Sequence, residues 1–343
     1  MNPPFAAIHH PWEEPPAPGE LVEVAEGLLW ARLPLPMKLD HVNIYALDDG
    51  DGWTLVDTGL NWTKGRAQLD ALIEGPLNGK SIHRVLMTHH HPDHIGLVGR
   101  FAEAGVPILA SRVAWLLGRM LTLDKEDEHP PQAITFRERA GVAGAALDAF
   151  RAEAPFNFAD CVAPIPPGFH ALDEGDQFTA GGRNWTIRLG HGHAPHHVTL
   201  WSDDILLAGD QVIPGISPNI GVYPTEPEGN PMGGWLDSCR RFRALEADPL
   251  VLPGHKLPFR GLNFRLDQLI ENHLSAFDRI LTALTDGPLT AVGMMPAIFK
   301  REVESSQFGL ALVEAVAHAN YLHQSGQITR RRTEDGAWSY ERA

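Results

Sequence analysis

Apolar residues in this chain come in short runs separated by turn residues. Between residues 21 and 60 the runs 21–24, 28–33, 42–47 and 53–56 are too short for helices and are punctuated by Gly, Asp and Pro. Runs of that length predict strands, here antiparallel. The spacing then turns helical over 61–73, with Leu69, Leu72 and Ile73 as the stripe and Asn61 at the N-cap position. A strand is predicted at 82–88, a helix at 96–104 and a strand at 106–110. Phe178 and residues 185–189 mark later strands, and 236–245 reads as a helix.

Two stretches interrupt this alternation. Residues 111–165 carry helical patterns at 112–121 and 133–152 on either side of a polar run, 124–131. An insertion of this length in a compact domain predicts a lid over a site, the alternative being helical decoration. After residue 262 the pattern becomes helical, led by Leu266, Leu269, Ile270, Leu274, Phe277, Ile280 and Leu281, with further helices at 290–299 and 310–322. A hairpin at 327–330 and 338–340, turning at Asp335-Gly336, closes the chain. The expected organisation is a proline-rich extended arm at 1–20, a main domain at 21–262 and a small winged-helix-like domain at 263–343.

The chemistry concentrates in Thr88-His89-His90-His91-Pro92-Asp93-His94, directly after an apolar run. Neutral imidazole and carboxylate are the ligands that borderline cations such as zinc prefer. Alternate residues of an extended segment point the same way, so His89 and His91 can share one metal. Asp93 and His94, beyond a turn at Pro92, can face a second. Three further runs end in or contain ligand-type residues: Trp53 to Asp57, Ile205 to Asp210 and Leu250 to His255. Residues 190–198 add Gly-His-Gly-His-Ala-Pro-His-His-Val.

These five ordered motifs, spread over residues 22–262, resemble the metallo-β-lactamase superfamily. The resemblance implies an α+β fold, an αββα sandwich. It implies that His89, His91 and His193 hold one divalent metal ion, that Asp93, His94 and His255 hold another, and that Asp210 bridges them. Zinc is the expected ion, with iron or manganese as alternatives. Asp57 is expected to orient a ligand or the water between the metals, and Asp57 or Asp93 to move the proton. His193 fits the family's Gly-His-[Ser/Thr]-Pro-Gly-His pattern, with His191 as the alternative ligand. Ala194 and His196 depart from that pattern. The run from Ala317 to Ile328 resembles, more weakly, the C-terminal module of the β-lactamase-like 2 hydrolases and related thioesterases.

Composition narrows the function. The 28 basic and 43 acidic residues leave a formal charge of −15, which lacks the electrostatic footprint of a nucleic-acid binder. Residues 263–343 are also slightly acidic, so a structural or dimer-forming role is expected of them rather than DNA binding. Two cysteines, Cys161 and Cys239, point to a reducing compartment. With neither a leader pattern nor a span-length apolar run, the expectation is a cytoplasmic protein without a membrane partner. The resemblance implies a hydrolase whose nucleophile is a hydroxide between two cations. A small acyl substrate, as carboxylic ester, thioester or lactone, is expected, since an acidic surface repels polyanions and Trp115, Leu116, Met120 and Leu121 offer apolar contacts. The alternatives are a ribonuclease or phosphodiesterase of the β-lactamase-like 2 type and an iron-dependent redox protein.

Overall fold

The computed structural model describes residues 7–343, so part of the expected N-terminal arm, residues 1–6, lies outside the described residues. The chain divides into two compact units. The first takes the chain through Lys125, then Asn157–Pro218 and Arg243–Arg265; the second is Glu126–Phe156, Asn219–Phe242 and Leu266–Ala343. The units therefore follow boundaries other than a linear cut at residue 262, and segment 111–165 is shared between them.

The first unit is built on two sheets. A seven-stranded sheet runs in chain order: β1 (Val22–Ala25), β2 (Leu28–Pro34), β3 (His41–Asp48), β4 (Gly52–Val56), β5 (Ser81–Leu86), β6 (Ile108–Ala110) and β7 (His170–Ala171). β1 to β4 are antiparallel, and β4 to β7 are parallel. The second sheet has five strands: β8 (Gln177–Ala180), β9 (Arg183–Gly190), β10 (His197–Trp201), β11 (Ile205–Gly209) and β12 (Leu250–Pro253), with only the last pair parallel. Parallel pairs need crossovers, which the helices of this unit supply for the first sheet. These are α1 (Thr63–Glu74), α2 (Pro92–Ile95), α3 (Val98–Glu103) and α4 (Arg112–Leu123).

One apolar core joins the sheets: Leu28, Trp30, Tyr45 and Leu47 of the first meet Trp185, Ile187, Leu189, Val198, Leu200 and Leu207 of the second. Leu69 and Leu72 of α1 pack with Leu33, Val42 and Ile44, while Val98 and Trp115 pack with Leu55, Val85 and Ile108. The expected helix at 61–73 begins slightly later. Trp62 is its N-cap without a side-chain bond, and the Asn61 carboxamide accepts instead from Arg66 Nη1 at 2.7 Å.

The second unit is mostly helical: α5 (Pro131–Ala140), α6 (Gly144–Ala152), α7 (Pro231–Arg243), α8 (Leu262–Ala283, entering this unit at Leu266), α9 (Ala291–Ile298) and α10 (Phe308–Gln324). β13 (Ile328–Arg332) and β14 (Trp338–Arg342) form its hairpin. The single helix expected at 133–152 is broken at Gly141, whose φ of 98° caps α5 in the left-handed conformation. A side chain there would strike Thr290 Oγ1 at 2.4 Å, so packing as well as backbone freedom requires glycine. Among the described residues no helix is long and apolar enough to cross a membrane.

Trp185 is fully buried between the sheets, its indole N–H donating to Ala180 O at 3.0 Å. Trp185→Ala is expected to cost about 3–5 kcal/mol of stability, measured as a lowered denaturant midpoint with an unchanged slope.

Candidate metal centre

The site lies where strand ends converge. β4 and β5 are parallel with Val56 opposite Leu86, so Asp57 and Thr88-His89 leave the sheet together. β11 and β12 are parallel with Gly209 opposite Pro253, so Asp210 and His255 do the same. Carboxyl ends of parallel strands are the usual place for ligands in α/β sheets. Backbone bonds tie these ends across the molecule: Val198 N–H donates to Thr88 O at 2.7 Å and Asn43 N–H to Gly254 O at 2.7 Å. Pro92 starts α2 at its first turn, a position where proline's missing N–H costs nothing, and so carries Asp93 and His94 inward.

Asp57 organises one side. It holds φ at 61°, a left-handed conformation that costs a non-glycine residue about 1–2 kcal/mol. In return its Oδ1 accepts from Thr88 N–H at 2.8 Å, and its Oδ2 from Thr88 Oγ1 and His94 Nδ1, both at 2.7 Å. The Thr88 hydroxyl spends its proton on Asp57, so it accepts from His89 Nδ1 at 3.0 Å. His255 Nδ1 donates to His41 O at 2.7 Å. Each of these three imidazoles thus has its Nδ1 pinned and presents Nε2 to the centre, as metal-binding histidines do.

The inward atoms crowd together. His89 Nε2 is 3.0 Å from His91 Nδ1. Asp210 lies 3.4 Å from His94 Nε2, 3.5 Å from His193 Nε2 and 3.2 Å from His255 Nε2, while Asp93 is 3.3 Å from His255 Nε2. Three overlapping groups have metal-binding geometry: His89, His91 and His193; Asp93, His94 and His255; and His89, His94 and Asp210. His94 Nε2 and Asp210 Oδ1 are buried and stand 3.4 Å apart without hydrogen-bond geometry. Buried polar atoms left so are costly, and a nitrogen–oxygen donor set of this kind fits a zinc-class cation.

Electrostatics agree with that fit. Burial holds His89 and His91 well below the usual histidine range, in the neutral form that binds metal. Burial also opposes charge on His94 and His255, yet Asp210 and Asp93 outweigh it. They hold His94 well above its ordinary value and push His255 up to about 10. Protons on these two rings balance the buried carboxylates where a cation would otherwise do so.

Every expected ligand is thereby brought to one place: His89, His91, Asp93, His94, His193, Asp210 and His255. Of the two alternatives at 190–198, His193 joins the cluster; His191 Nδ1 instead accepts from His196 N–H at 3.4 Å. Four residues escaped sequence reasoning. Thr88 relays Asp57 to His89. His41 holds His255. His197 is fully buried, stacks on His89 at 4.6 Å and accepts from Asp210 N–H at 3.1 Å. His90 stands beside His91, ring centroids 4.7 Å apart, with Phe158 parallel to it at 6.5 Å. Thr88 and His90 stand within the 88–94 motif and His197 opens the apolar run of β10, but nothing in the sequence marks His41. Trp115, expected as a substrate contact, is largely buried and stacks on Phe169 at 4.6 Å, yet it lines one surface groove with the exposed Leu116 and Met120.

The two-sheet fold and this histidine–aspartate centre define a metallo-hydrolase. The chain belongs to the metallo-β-lactamase superfamily, whose family model matches residues 37–255; residues 277–343 match a metallo-β-lactamase-like C-terminal domain. A β-lactamase domain protein from Burkholderia ambifaria is 36% identical, covers 98% of each chain and superposes with a TM-score of 0.90. A metallo-β-lactamase family protein from Thermus thermophilus is 26% identical over 93% of this chain and 100% of its own, with a TM-score of 0.77. A hydroxyacylglutathione hydrolase from Cereibacter sphaeroides is 28% identical over 86% of this chain and 99% of its own. The "Probable metallo-hydrolase YqjP" of Bacillus subtilis is 23% identical over 89% and 94%.

Two outcomes are expected. In metal-stripped protein the imidazolium of His255 stabilises the fold fully below the ordinary value of 6.5, and that contribution is lost as pH rises toward about 10. Unfolding measured across that window should show falling stability without zinc and a flatter profile with it, because binding displaces the proton. Second, a Cβ at Gly254 would stand 2.2 Å from Asp210 Oδ1 and 2.8 Å from His94 Cε1. Gly254→Ala is expected to weaken zinc binding by roughly 10–100-fold, the scale of lost ligand support, with secondary structure by circular dichroism unchanged.

Proposed function

We propose that this chain is a dinuclear metal-dependent hydrolase acting on a carboxylic ester, thioester or lactone. The observation that carries the reading is the pair of three-ligand groups, His89–His91–His193 and Asp93–His94–His255, with Asp210 within 3.5 Å of a histidine in each. His89, His91 and His193 would hold one ion and Asp93, His94 and His255 the other, with Asp210 offering an oxygen to both. Two divalent cations, zinc in the first instance, supply an acidified water and an electrophile for the developing oxyanion.

The chain's own residues divide the remaining work. Asp210, fixed by its backbone bond to His197, offsets the repulsion of two cations. Asp57 acts by position: both its oxygens are committed to Thr88 and His94, so its role is to aim His94 and, through Thr88, His89. Asp93 is the more open carboxylate, with its side chain 18% exposed against 2% for Asp57. That difference supports Asp93 over Asp57 as the group that moves the proton between nucleophile and leaving group.

Acyl chemistry is favoured over phosphodiester cleavage by the net charge of −15. The name of the Cereibacter relative points to the same acyl substrates. The lid role narrows to α4, which stays with the first unit: a Cβ at its Gly118 would lie 2.8 Å from Ile95 and 3.8 Å from His90, beside the metal motif. Its Leu116, Met120 and Leu123 line a shallow surface groove with Arg119, suited to an acyl chain. The C-terminal module is read as winged-helix-like and structural.

The test is a hydrolysis panel of acyl-glutathione, acyl-CoA, lactone, bis-aryl phosphate and single-stranded RNA, run with zinc and with chelator. Chelator-sensitive turnover of an acyl substrate is expected. Zinc-dependent cleavage of RNA alone would overturn the acyl reading. Asp210→Ala is expected to lower hydrolysis by at least about 10³-fold, since the lost carboxylate holds the ions that supply most of the catalysis, and to lower zinc content in parallel by mass spectrometry.

A further inference from the structure

The second unit buries another set of metal-ligand side chains that hydrolysis does not use. His273 on α8 and Glu314 and His318 on α10 bring one donor atom each within 4.8 Å of one another. Glu314 and His318 stand four residues apart on α10, hence on one face of the helix. His273 and His318 are almost wholly buried.

The hydrogen bonds decide where the lone pairs are. His318 Nδ1 lies 2.8 Å from Glu314 O, and a carbonyl can only accept, so Nδ1 carries the proton and Nε2 is bare. That bare Nε2 accepts from His273 Nδ1 at 3.3 Å, a proton that a bound cation would displace. Two nitrogens bound to one tetrahedral zinc at 2.0–2.1 Å lie roughly 3.3–3.4 Å apart. The first centre shows a comparable approach, 3.0 Å between His89 Nε2 and His91 Nδ1. The Nδ1-to-carbonyl bond of His318 is the outer support that metal-binding imidazoles have, and the Glu314 carboxylate is steadied in the same manner by Asn219 Nδ2 at 2.9 Å.

Charge and polarity at the site are incomplete as the side chains stand. His273 Nε2 is buried and makes no hydrogen bond. Arg279 is the cation felt at His318, but it donates to Ala297 O, Ile298 O and Ser275 Oγ. Among the described residues no cation pairs with Glu314. A partly buried carboxyl beside two buried imidazoles needs neutralising, either by a proton, since burial pushes Glu314 up to about 7, or by a cation that the three side chains hold together. Helix-bundle cores hold metals with this type of donor set, carboxylate and histidine from facing helices.

We propose that His273, Glu314 and His318 form a separate site for one divalent transition cation of the zinc class, clamping α8 to α10 and leaving its fourth position to water or a small ligand. The test uses the full chain with the first centre disabled by His89→Ala and Asp210→Ala. After equilibration with zinc sulfate and desalting, metal is counted by mass spectrometry, and the cobalt-loaded form is examined by visible absorption. One zinc per chain and a tetrahedral cobalt spectrum are expected, both lost on adding Glu314→Gln or His318→Asn. No zinc in the folded double variant, or zinc that persists in both added variants, would overturn the site. Should the double variant fail to fold, the comparison is the otherwise unaltered chain with and without Glu314→Gln. One zinc fewer in the variant supports the site, and equal zinc content overturns it.

Discussion

A single carboxylate ties the fold of the first unit to its chemistry. Asp57 accepts three hydrogen bonds inside the protein, from the Thr88 amide, the Thr88 hydroxyl and His94 Nδ1. The Thr88 amide lies two residues past the end of β5, so one acid both ties the ends of β4 and β5 together and fixes the tautomers of His94 and His89. It reaches that position only by adopting a left-handed backbone, a strain the three bonds offset. Without that staple the histidines would keep their places along the chain but lose their common aim.

The second sheet answers with a matched device. Asp210 follows β11 and His255 follows β12, and Gly254 N–H donates to Gly209 O at 2.8 Å to hold the two ends level. His197, at the start of β10, supports Asp210 from behind. The result is a cluster in which acids and imidazoles alternate, so that each buried charge has an opposite or ligand-type neighbour. Histidines held neutral by burial sit beside histidines held charged by carboxylates, which marks the cluster as a place where cations and protons compete.

Much of this was legible before any coordinates, for a physical reason. Short apolar runs ending in His or Asp signal strands that are buried along their length and end at a polar site, so the runs at 53–57, 82–94, 205–210 and 250–255 announced both sheets and their convergence. What was illegible depends on conformation or on distant partners. Nothing in Thr88 says that its hydroxyl will relay Asp57 to His89, because that requires the left-handed turn at Asp57. The break at Gly141 is set by Thr290, almost 150 residues later. The stacking of Trp115 on Phe169 depends on a residue more than fifty positions along the chain. His273 and His318 each read as ordinary helix residues until α8 and α10 are set side by side.

The glycines beneath the first centre bear on how such an enzyme can change. At Gly209 an added methyl would meet His197 at 2.6 Å, and at Gly254 it would meet Asp210 at 2.2 Å and His94 at 2.8 Å. The floor of the site has no spare volume in which a new side chain could reshape a pocket. Change at this site must therefore come from residues other than these glycines, while the strand ends stay fixed. The tight packing beneath the ligands thus acts as a filter on sequence, closing these positions to side chains while leaving the rest of the chain free to drift.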